Sequence, residues 1–287
     1  PTDGHLQPAE LAAAYQQVGR EHGVTFRQGC PVTGLNVDQD RVRGVDTPEG
    51  HIATDVVVNA AGPWSYLVAE LGETPLPTAA LGHVYLTTRP DEEHPVDRMS
   101  PAIRDRHLRI YSRPEAGGLI VGMYGPDAVQ HDMAALPDDF DMSSLTVRAD
   151  DLHVALLIDA TKRRFPWIDE RTPMTITRGI MTFSPDGKPF CGQRPDFDGL
   201  FHCSGFCGHG IVQSPAIGVI MADLVLDGST GYDIEAIQAD RFFDHPGLQD
   251  RSDIEAACYQ MQAGYYGRIE DGDGGVVEEP AGDGPTS

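Results

Sequence analysis

Short β-rich runs alternate with a few helical ones along the chain, and the spacing of apolar positions changes character twice. Ala9 to His22 places Leu11, Ala14, Tyr15 and Val18 on one helical face, behind a Pro8 that a first turn tolerates, and Gly23 ends it. Val24-Thr25-Phe26 reads as a short strand, and a second extended run follows from Pro31. Arg41 to Asp55 gives two strands around a Pro48-Glu49-Gly50 turn. Asp55 to Asn59 is β-branched and uninterrupted, the pattern of a strand buried on both faces. It runs straight into Ala60-Ala61-Gly62-Pro63-Trp64 and a helix from Ser65 to Leu71.

From residue 78 the pattern changes. Val84 to Thr88, His107 to Tyr111 and Leu119 to Gly122 read as strands, the last two joined by the turn-rich Arg113 to Gly118. A polar helix is expected over Asp150 to Arg164. Together these make an antiparallel sheet with helical cover, inserted between two halves of another unit. The chain then returns to a dense stretch, Thr182 to Gly192, followed by a strand at Gly199 to Ser204, the cluster Gly205-Phe206-Cys207-Gly208-His209-Gly210, and an apolar helix from Val212 to Leu226 closed by Asp227-Gly228. After Arg268 the Gly/Asp/Glu-rich tail reads as disordered. The expected fold is mixed α/β (α+β), with units at 1–77, 78–178 and 179–250 and a C-terminal extension with an acidic tail at 251–287.

Composition narrows the function. Hydrophobic residues make up 40% and charged ones 23% of the 287, a globular balance. A formal net charge of −23 repels phosphate backbones and anionic lipid, so neither nucleic acid nor a membrane is an expected partner. No run of about 18 apolar residues suggests a membrane-spanning helix. All but two of the 21 basic side chains are Arg, the exceptions being Lys162 and Lys188. Two sources account for that bias: a salt-rich (halophilic) environment, where acidic surfaces hold water, or a genome whose codons favour Arg and Asp. Five cysteines, with Cys203 and Cys207 spaced CxxxC and no second pair or His-x-x-x-His, fit thiols in a reducing cytoplasm better than a metal site. No basic segment leads into an apolar one at the start, so no signal peptide is visible.

Three segments carry candidate chemistry. Glycines at 205, 208 and 210 between a strand and a helix let backbone approach a ligand, and the helix aims its N-terminal N–H groups there. The same glycines also suit a plain tight turn. Their GxxGxG spacing reverses the dinucleotide fingerprint, and no strand–GxGxxG–helix occurs elsewhere in the chain. The second segment, Val56 to Trp64, ends a strand in small residues, where open α/β sheets bind ligands. The third is the Pro185-Asp186-Gly187 turn ahead of Pro189.

Taken together, Gly4-His5-Leu6-Gln7-Pro8, Val56 to Trp64, Ser184 to Pro189 and Gly205 to Gly218 resemble, in order and over about 220 residues, the D-amino acid oxidase-like family of FAD-dependent amine oxidoreductases. His83-Val84-Tyr85, Arg104 to Tyr111, Gly117-Gly118-Leu119, Gly122-Met123-Tyr124 and Asp240-Arg241-Phe242 resemble its dimethylglycine/sarcosine dehydrogenase and glycine oxidase branch. The resemblance implies FAD as cofactor and oxidation of a small, N-methylated or other amino acid, with a hydride passing to flavin N5 and the resulting iminium hydrolysed by water. It implies that Val32 meets the adenine part through its backbone and that Ala60, Ala61, Gly62 and Trp64 approach the flavin from a strand end. Asp186 lies on the cofactor side. Gly208, His209, Gly210 and Ile211 face the flavin's pyrimidine edge, where the helix dipole steadies negative charge. His83 and Tyr85 take catalytic places on the substrate side, joined by Tyr124. Arg109 or Arg178 is a candidate clamp for a substrate carboxylate, although an Arg also serves as plain surface charge. Tyr85 suits a hydrogen bond to the amine as well as a core position.

The departures matter equally. The family's glycine-fingerprint βαβ unit is missing, so the expected architecture is a partial Rossmann-like FAD domain around an antiparallel substrate domain, with the Pro1 start read as an N-terminal truncation. Gly179 or its neighbours stand where sarcosine oxidases link flavin through Cys, and Val212 stands where they place a Lys. The folate-binding domain of dimethylglycine dehydrogenase is absent. Two alternatives to a self-sufficient enzyme follow: a scaffold subunit whose partner supplies the nucleotide-binding half, or a non-catalytic fragment.

Overall fold

The computed structural model describes residues 4–125, 128–136, 152–169 and 171–266. Helix α1 (Pro8–Glu21) opens on its proline, and Gly23 beyond it has φ 86°, a conformation glycine adopts without strain. None of its residues is buried, so the Leu11–Val18 stripe has no covering layer among the described residues. Val24 to Phe26 form no strand. The Phe26 ring folds back against Gly19 and Arg20 stacks on it at 5.1 Å, so the segment closes on its own helix instead of entering a sheet.

Strands β1 (Gly34–Asp38), β2 (Arg41–Thr47) and β3 (Gly50–Ala53) form a small antiparallel sheet. Strand β4 (Val57–Asn59) leads through a single 3-10 turn, Gly62–Trp64, into helix α2 (Ser65–Glu70). The large sheet follows: β5 (Ala79–Thr88), β6 (Ile103–Asp105), β7 (Ile110–Glu115), β8 (Gly118–Met123) and β9 (Gln130–His131), then helix α3 (Leu152–Arg164) and β10 (Met174–Phe183). The strand expected at His107 to Tyr111 starts only at Ile110. Before it, the Asp105 carboxylate ties down the Leu108 N–H and Arg109 takes φ 56°, which makes a turn. Strands β11 (Phe190–Gln193) and β12 (Leu200–Ser204), helix α4 (Gly210–Asp227) and helix α5 (Arg251–Tyr266) complete the described chain. The tail after Arg268 lies outside the described residues.

β5 and β10 pair antiparallel over their full length, from Ala79 opposite Phe183 to Thr88 opposite Met174, so β10 runs continuously across position 178. The sheet order is β10-β5-β8-β7-β6, and β9 pairs with Ala80 and Leu81 of β5, on the edge that β8 takes further along. One face of this sheet buries Val84, Leu86, Ile110, Leu119, Val121 and Met123 against Val154, Leu157 and Ala160 of α3. At the other end of the ribbon, Ile254 and Cys258 of α5 pack on Ala79, Leu81 and Phe183.

β12 pairs antiparallel with β11 and parallel with β4, His202 standing opposite Asn59. Among the described residues β12 is β4's only neighbour in that sheet, and Val56 and Val58 are exposed. The expectation of a strand buried on both faces therefore fails, because β4 is an edge. Cys203 stands opposite Cys191 in this sheet while Cys207 packs beside Phe183 and Cys258, so the CxxxC thiols serve separate contacts. Helix α4 buries Ile217, Ile220 and Met221 against Cys191 and Phe201 and leaves Val212 and Leu226 78% and 79% exposed. By length and composition, with 18 residues and mean hydropathy 1.4, this helix is apolar enough to cross a membrane, where the sequence reading saw no apolar run of that length; Pro215 and Asp223 lie within it.

Candidate active site

Parallel pairing of β4 and β12 brings their carboxyl ends side by side. Ala60, Ala61, Gly62 and Trp64 follow one strand; Gly208, His209, Gly210 and Ile211 follow the other and open α4. Two segments 140 residues apart in the sequence thus share one edge, the location at which such sheets take ligands. Gly62 has φ 55°, and Cys207 and Gly208 have φ 50° and 83°, so both turns depend on left-handed backbone. A side chain on Gly62 would meet only the Thr182 hydroxyl, at 4.0 Å. Trp64 and Ile211 stay 36% and 45% exposed beside this opening. No side chain caps the first turn of α4. Val32 is exposed just ahead of β1.

The first of these turns is held from below by Asn59, which is 2% exposed. Its Nδ2 donates to the Ser65 carbonyl at 2.7 Å and to His202 Nδ1 at 3.2 Å, and its Oδ1 accepts from the Ala61 N–H at 3.3 Å. Because His202 accepts at Nδ1, its ring proton sits on Nε2. Burial, aided by Arg194, lowers the His202 pKa to about 4, so the ring is uncharged at neutral pH. Asn59→Ala takes a partner from three polar groups at once, two of them buried. It is expected to cost about 2 kcal/mol in urea unfolding. An unchanged midpoint would refute the brace.

Antiparallel register brings together the residues expected on the substrate side. Tyr85 and Tyr111 both stand opposite Gly122, so the three share one face of the sheet, opposite the α3 core. His83, two residues before Tyr85, lies on that face as well. The missing side chain of Gly122 admits the Tyr111 ring, whose hydroxyl comes 2.9 Å from His83 Nε2 with the two rings stacked. Tyr124 tilts against Tyr111 at 5.4 Å, and Arg104 reaches the Tyr124 hydroxyl. Burial lowers the His83 pKa to about 4. Burial first, then the neighbouring Tyr124 and Tyr85, push the Tyr111 phenol well above its usual range. His83 and Tyr111 therefore present an uncharged polar pair. Sequence reasoning had named His83, Tyr85 and Tyr124 but missed Tyr111, their hub; the signal available was Tyr111 and Gly122 on adjacent strands of one hairpin.

A narrow cleft, partly open to solvent, lies where β8 and β9 part along β5. His83, Gly179, Arg178, His131, His153 and Gln262 line it. The structure thus brings His83 and Arg178 to one cavity, although Arg178 is paired with Val84 and so belongs to the opposite face of the ribbon from Tyr85. A side chain on Gly179, directly across from His83, would touch nothing within 4 Å. Burial, then Arg178, lowers the His131 pKa. Arg109 stands apart in the β6–β7 turn, where its carbonyl receives the Tyr124 N–H at 2.8 Å. Asp186 is engaged elsewhere: Arg241 donates to both its oxygens, at 2.9 and 3.0 Å, and the Lys188 N–H donates at 3.1 Å.

Comparison with known proteins bears on this arrangement. A family model described as FAD dependent oxidoreductase (DAO) matches residues 1–224. Human mitochondrial sarcosine dehydrogenase is 28% identical over 262 residues, covering 88% of this chain and 28% of the relative. Rat mitochondrial dimethylglycine dehydrogenase is 27% identical over 84% of this chain and 29% of its own length. The chain thus spans well under a third of these two relatives. Among solved structures, glycine oxidase from Geobacillus kaustophilus superposes with TM-score 0.65 at 25% identity, covering 84% of this chain and 60% of that one. L-proline dehydrogenase from P. horikoshii shares the fold at TM-score 0.71 and 24% identity, over 85% and 62%.

Proposed function

Since the chain belongs to the DAO family of FAD-dependent oxidoreductases, we propose that it forms the flavin-facing and substrate-facing part of an enzyme oxidising a small amino acid, N-methylated or otherwise secondary. One observation carries this reading: the paired ends of β4 and β12 abut, through the 3-10 turn Gly62–Trp64, the same β10–β5 ribbon that bears His83.

The residues present fit the ring end of the cofactor. Gly62 and Gly179 leave open space where side chains would stand, and an uncapped helix start and the exposed Trp64 and Ile211 adjoin the strand ends. They do not supply a strand–glycine–helix cradle for its pyrophosphate. When bound, FAD supplies a two-electron acceptor. Ala60 to Trp64 and Gly208 to Ile211 would hold it by backbone, and the N-terminal end of α4 favours negative charge beside it. His83 and Tyr111, both uncharged, form a wall that penalises an ammonium and so favours the amine's reactive lone-pair form. Arg178, which lines the adjoining cleft, is the candidate to meet a substrate carboxylate.

Among the described residues the edge of β4 away from β12 is open, and it suits a further parallel strand. We assign the adenosine and pyrophosphate subsite to such a unit, carried either by a longer form of this chain or by a partner subunit. Full activity depends on it. The test is FAD titration of the purified chain followed by flavin fluorescence, then turnover of N-methylated amino acids with an artificial electron acceptor. Quenched, bound flavin that Gly62→Val abolishes is expected. No bound flavin at saturation, both alone and with an added strand–helix unit, refutes the reading.

A further inference from the structure

Cys191 and Cys203 stand directly opposite each other where β11 and β12 pair. Opposite residues of an antiparallel pair point to one face, and both side chains join the cluster that Ile217 and Met221 of α4 cover. A third observation places the thiols together: after burial, the neighbouring Cys203 helps push the Cys191 thiol up to about 12. Cross-strand partners have Cα atoms about 4.5–5.5 Å apart, inside the roughly 4.4–6.8 Å that a disulfide spans. Their Cβ atoms stand about 4.5–5.5 Å apart where a disulfide takes about 3.5–4.5 Å, so closing the bond draws the strands slightly together. Gly192, with φ 110°, follows Cys191 and gives β11 the backbone freedom to yield. A bond made under such tension is readily reduced again.

The other cysteines lack this geometry. Cys207 and Cys258 share a cluster, but their thiols donate to the carbonyls of Gly205 and Phe183 at 3.2 and 3.3 Å. Cys30 lies apart, ahead of β1. Access also differs within the pair: Cys191 is buried and Cys203 partly exposed, so a reagent meets Cys203 first.

We propose that Cys191 and Cys203 form a reversible cross-strand disulfide, a redox-sensitive lock on the strand that ends in the Gly205–Gly210 turn. The oxidant is a small-molecule disulfide such as glutathione disulfide. The Cys203 thiolate attacks one of its sulfurs, forms a mixed disulfide and releases one thiolate, which takes up a proton. Cys191, its own proton given to solvent, attacks Cys203 Sγ, closes the protein disulfide and expels the second thiolate, which is protonated in turn. The protein loses two hydrogens and two electrons overall, and the oxidant becomes two thiols. Burial holds both cysteines above their ordinary range, so exchange is slow at neutral pH. The pair therefore follows the standing thiol–disulfide balance around it rather than brief pulses of oxidant. The lock depends on the β11–β12 register alone and is independent of the oxidoreductase reading.

Equilibration of the full chain with glutathione disulfide, followed by thiol alkylation and peptide mapping, tests it. Expected are a mass loss of two hydrogen atoms, a link between the peptides holding residues 191 and 203, and reversal by excess reduced glutathione. The closed loop removes freedom from the unfolded chain, so the oxidised form should melt about 5 °C higher than the reduced one. Cys203→Ser and, separately, Cys191→Ala should abolish that difference, each variant being compared with its own reduced form so that an effect of the substitution on folding cancels. Free thiols at 191 and 203 after equilibration, a mixed disulfide that persists on Cys203, a link to another cysteine, or equal melting of the two forms overturns the proposal.

Discussion

Arg241→Ala is expected to lower stability by about 3 kcal/mol, a fall in Tm of roughly 6–12 °C for a chain of this size, measured by denaturant and thermal unfolding. Arg241 is a hub. Its guanidinium donates to both carboxylate oxygens of Asp186 and to the carbonyls of Lys188, Pro189 and Gln238. It also stacks on Phe190 at 3.9 Å and Phe242 at 4.9 Å. The side chain is only 12% exposed and that of Asp186 29%, so solvent cannot replace what is lost. Removing the cation leaves a partly buried carboxylate without its counter-charge and takes a donor from three carbonyls, of which Lys188's keeps the Ser184 hydroxyl and Gln238's the backbone N–H of residue 241. The Ser184–Pro189 turn is the segment they hold, and Asp186, expected on the cofactor side, braces it through Arg241.

The same pair sets an acid limit. Burial would raise the Asp186 pKa, but Arg241, the Lys188 N–H and the Ser184 hydroxyl together hold it below the ordinary 3.8. Its contribution is present above that value and is lost as pH falls through the lower, folded one. The penalty of Arg241→Ala should therefore shrink in strong acid. Two histidines act earlier. His83 and His202 stay neutral down to about pH 4, whereas in the unfolded chain they take up protons near 6.5. The unfolded state thus binds more protons across that interval, and stability declines as pH drops from about 6.5 to 4.

Much of the framework was readable from spacing. The glycine-bounded helices α1 and α4, the β2–β3 hairpin and β8 follow local rules that hold whatever surrounds them. What escaped was set by distant partners. Val24 and Phe26 have strand propensity, but no sheet edge reaches them. Val56 to Val58 read as doubly buried because β-branched runs give no sign of whether a neighbour is present. Helix α5 carries a stripe at Ile254, Cys258 and Met261, built from a cysteine and a methionine that look unremarkable beside the glycine-rich tail. Its Gln262 could not be connected to His83, 179 positions earlier, without the fold. Motif order, by contrast, singled out the two strand ends as one expected site; the parallel register of β4 and β12 shows that they are neighbours in space.

Gly122→Ala is expected to damage the face proposed to meet substrate more than any single deletion of a polar group on it. A methyl at this position would lie 2.1 Å from Tyr111 Cζ and 2.2 Å from its hydroxyl oxygen, far inside contact distance. Gly122 has no left-handed φ, so the backbone accepts alanine and the whole conflict falls on the tyrosine. The ring must swing away about its χ1, which breaks the 2.9 Å link to His83 and the stack with it and disturbs the packing on Tyr124. Overpacking of this kind costs about 1–3 kcal/mol in stability. The functional effect should be larger, about 100-fold or more in kcat/KM for the flavin-loaded enzyme, because both the wall and its shape are lost. Tyr111→Phe removes only the hydroxyl and should cost about tenfold. His83 supplies the readout that separates displacement from general loosening. With Tyr111 gone from above it, the imidazole regains water and its NMR titration should move up from about 4 toward the ordinary 6.5. A Gly122→Ala variant that keeps the low His83 titration and unchanged kcat/KM would show that Tyr111 is not the hub of this face.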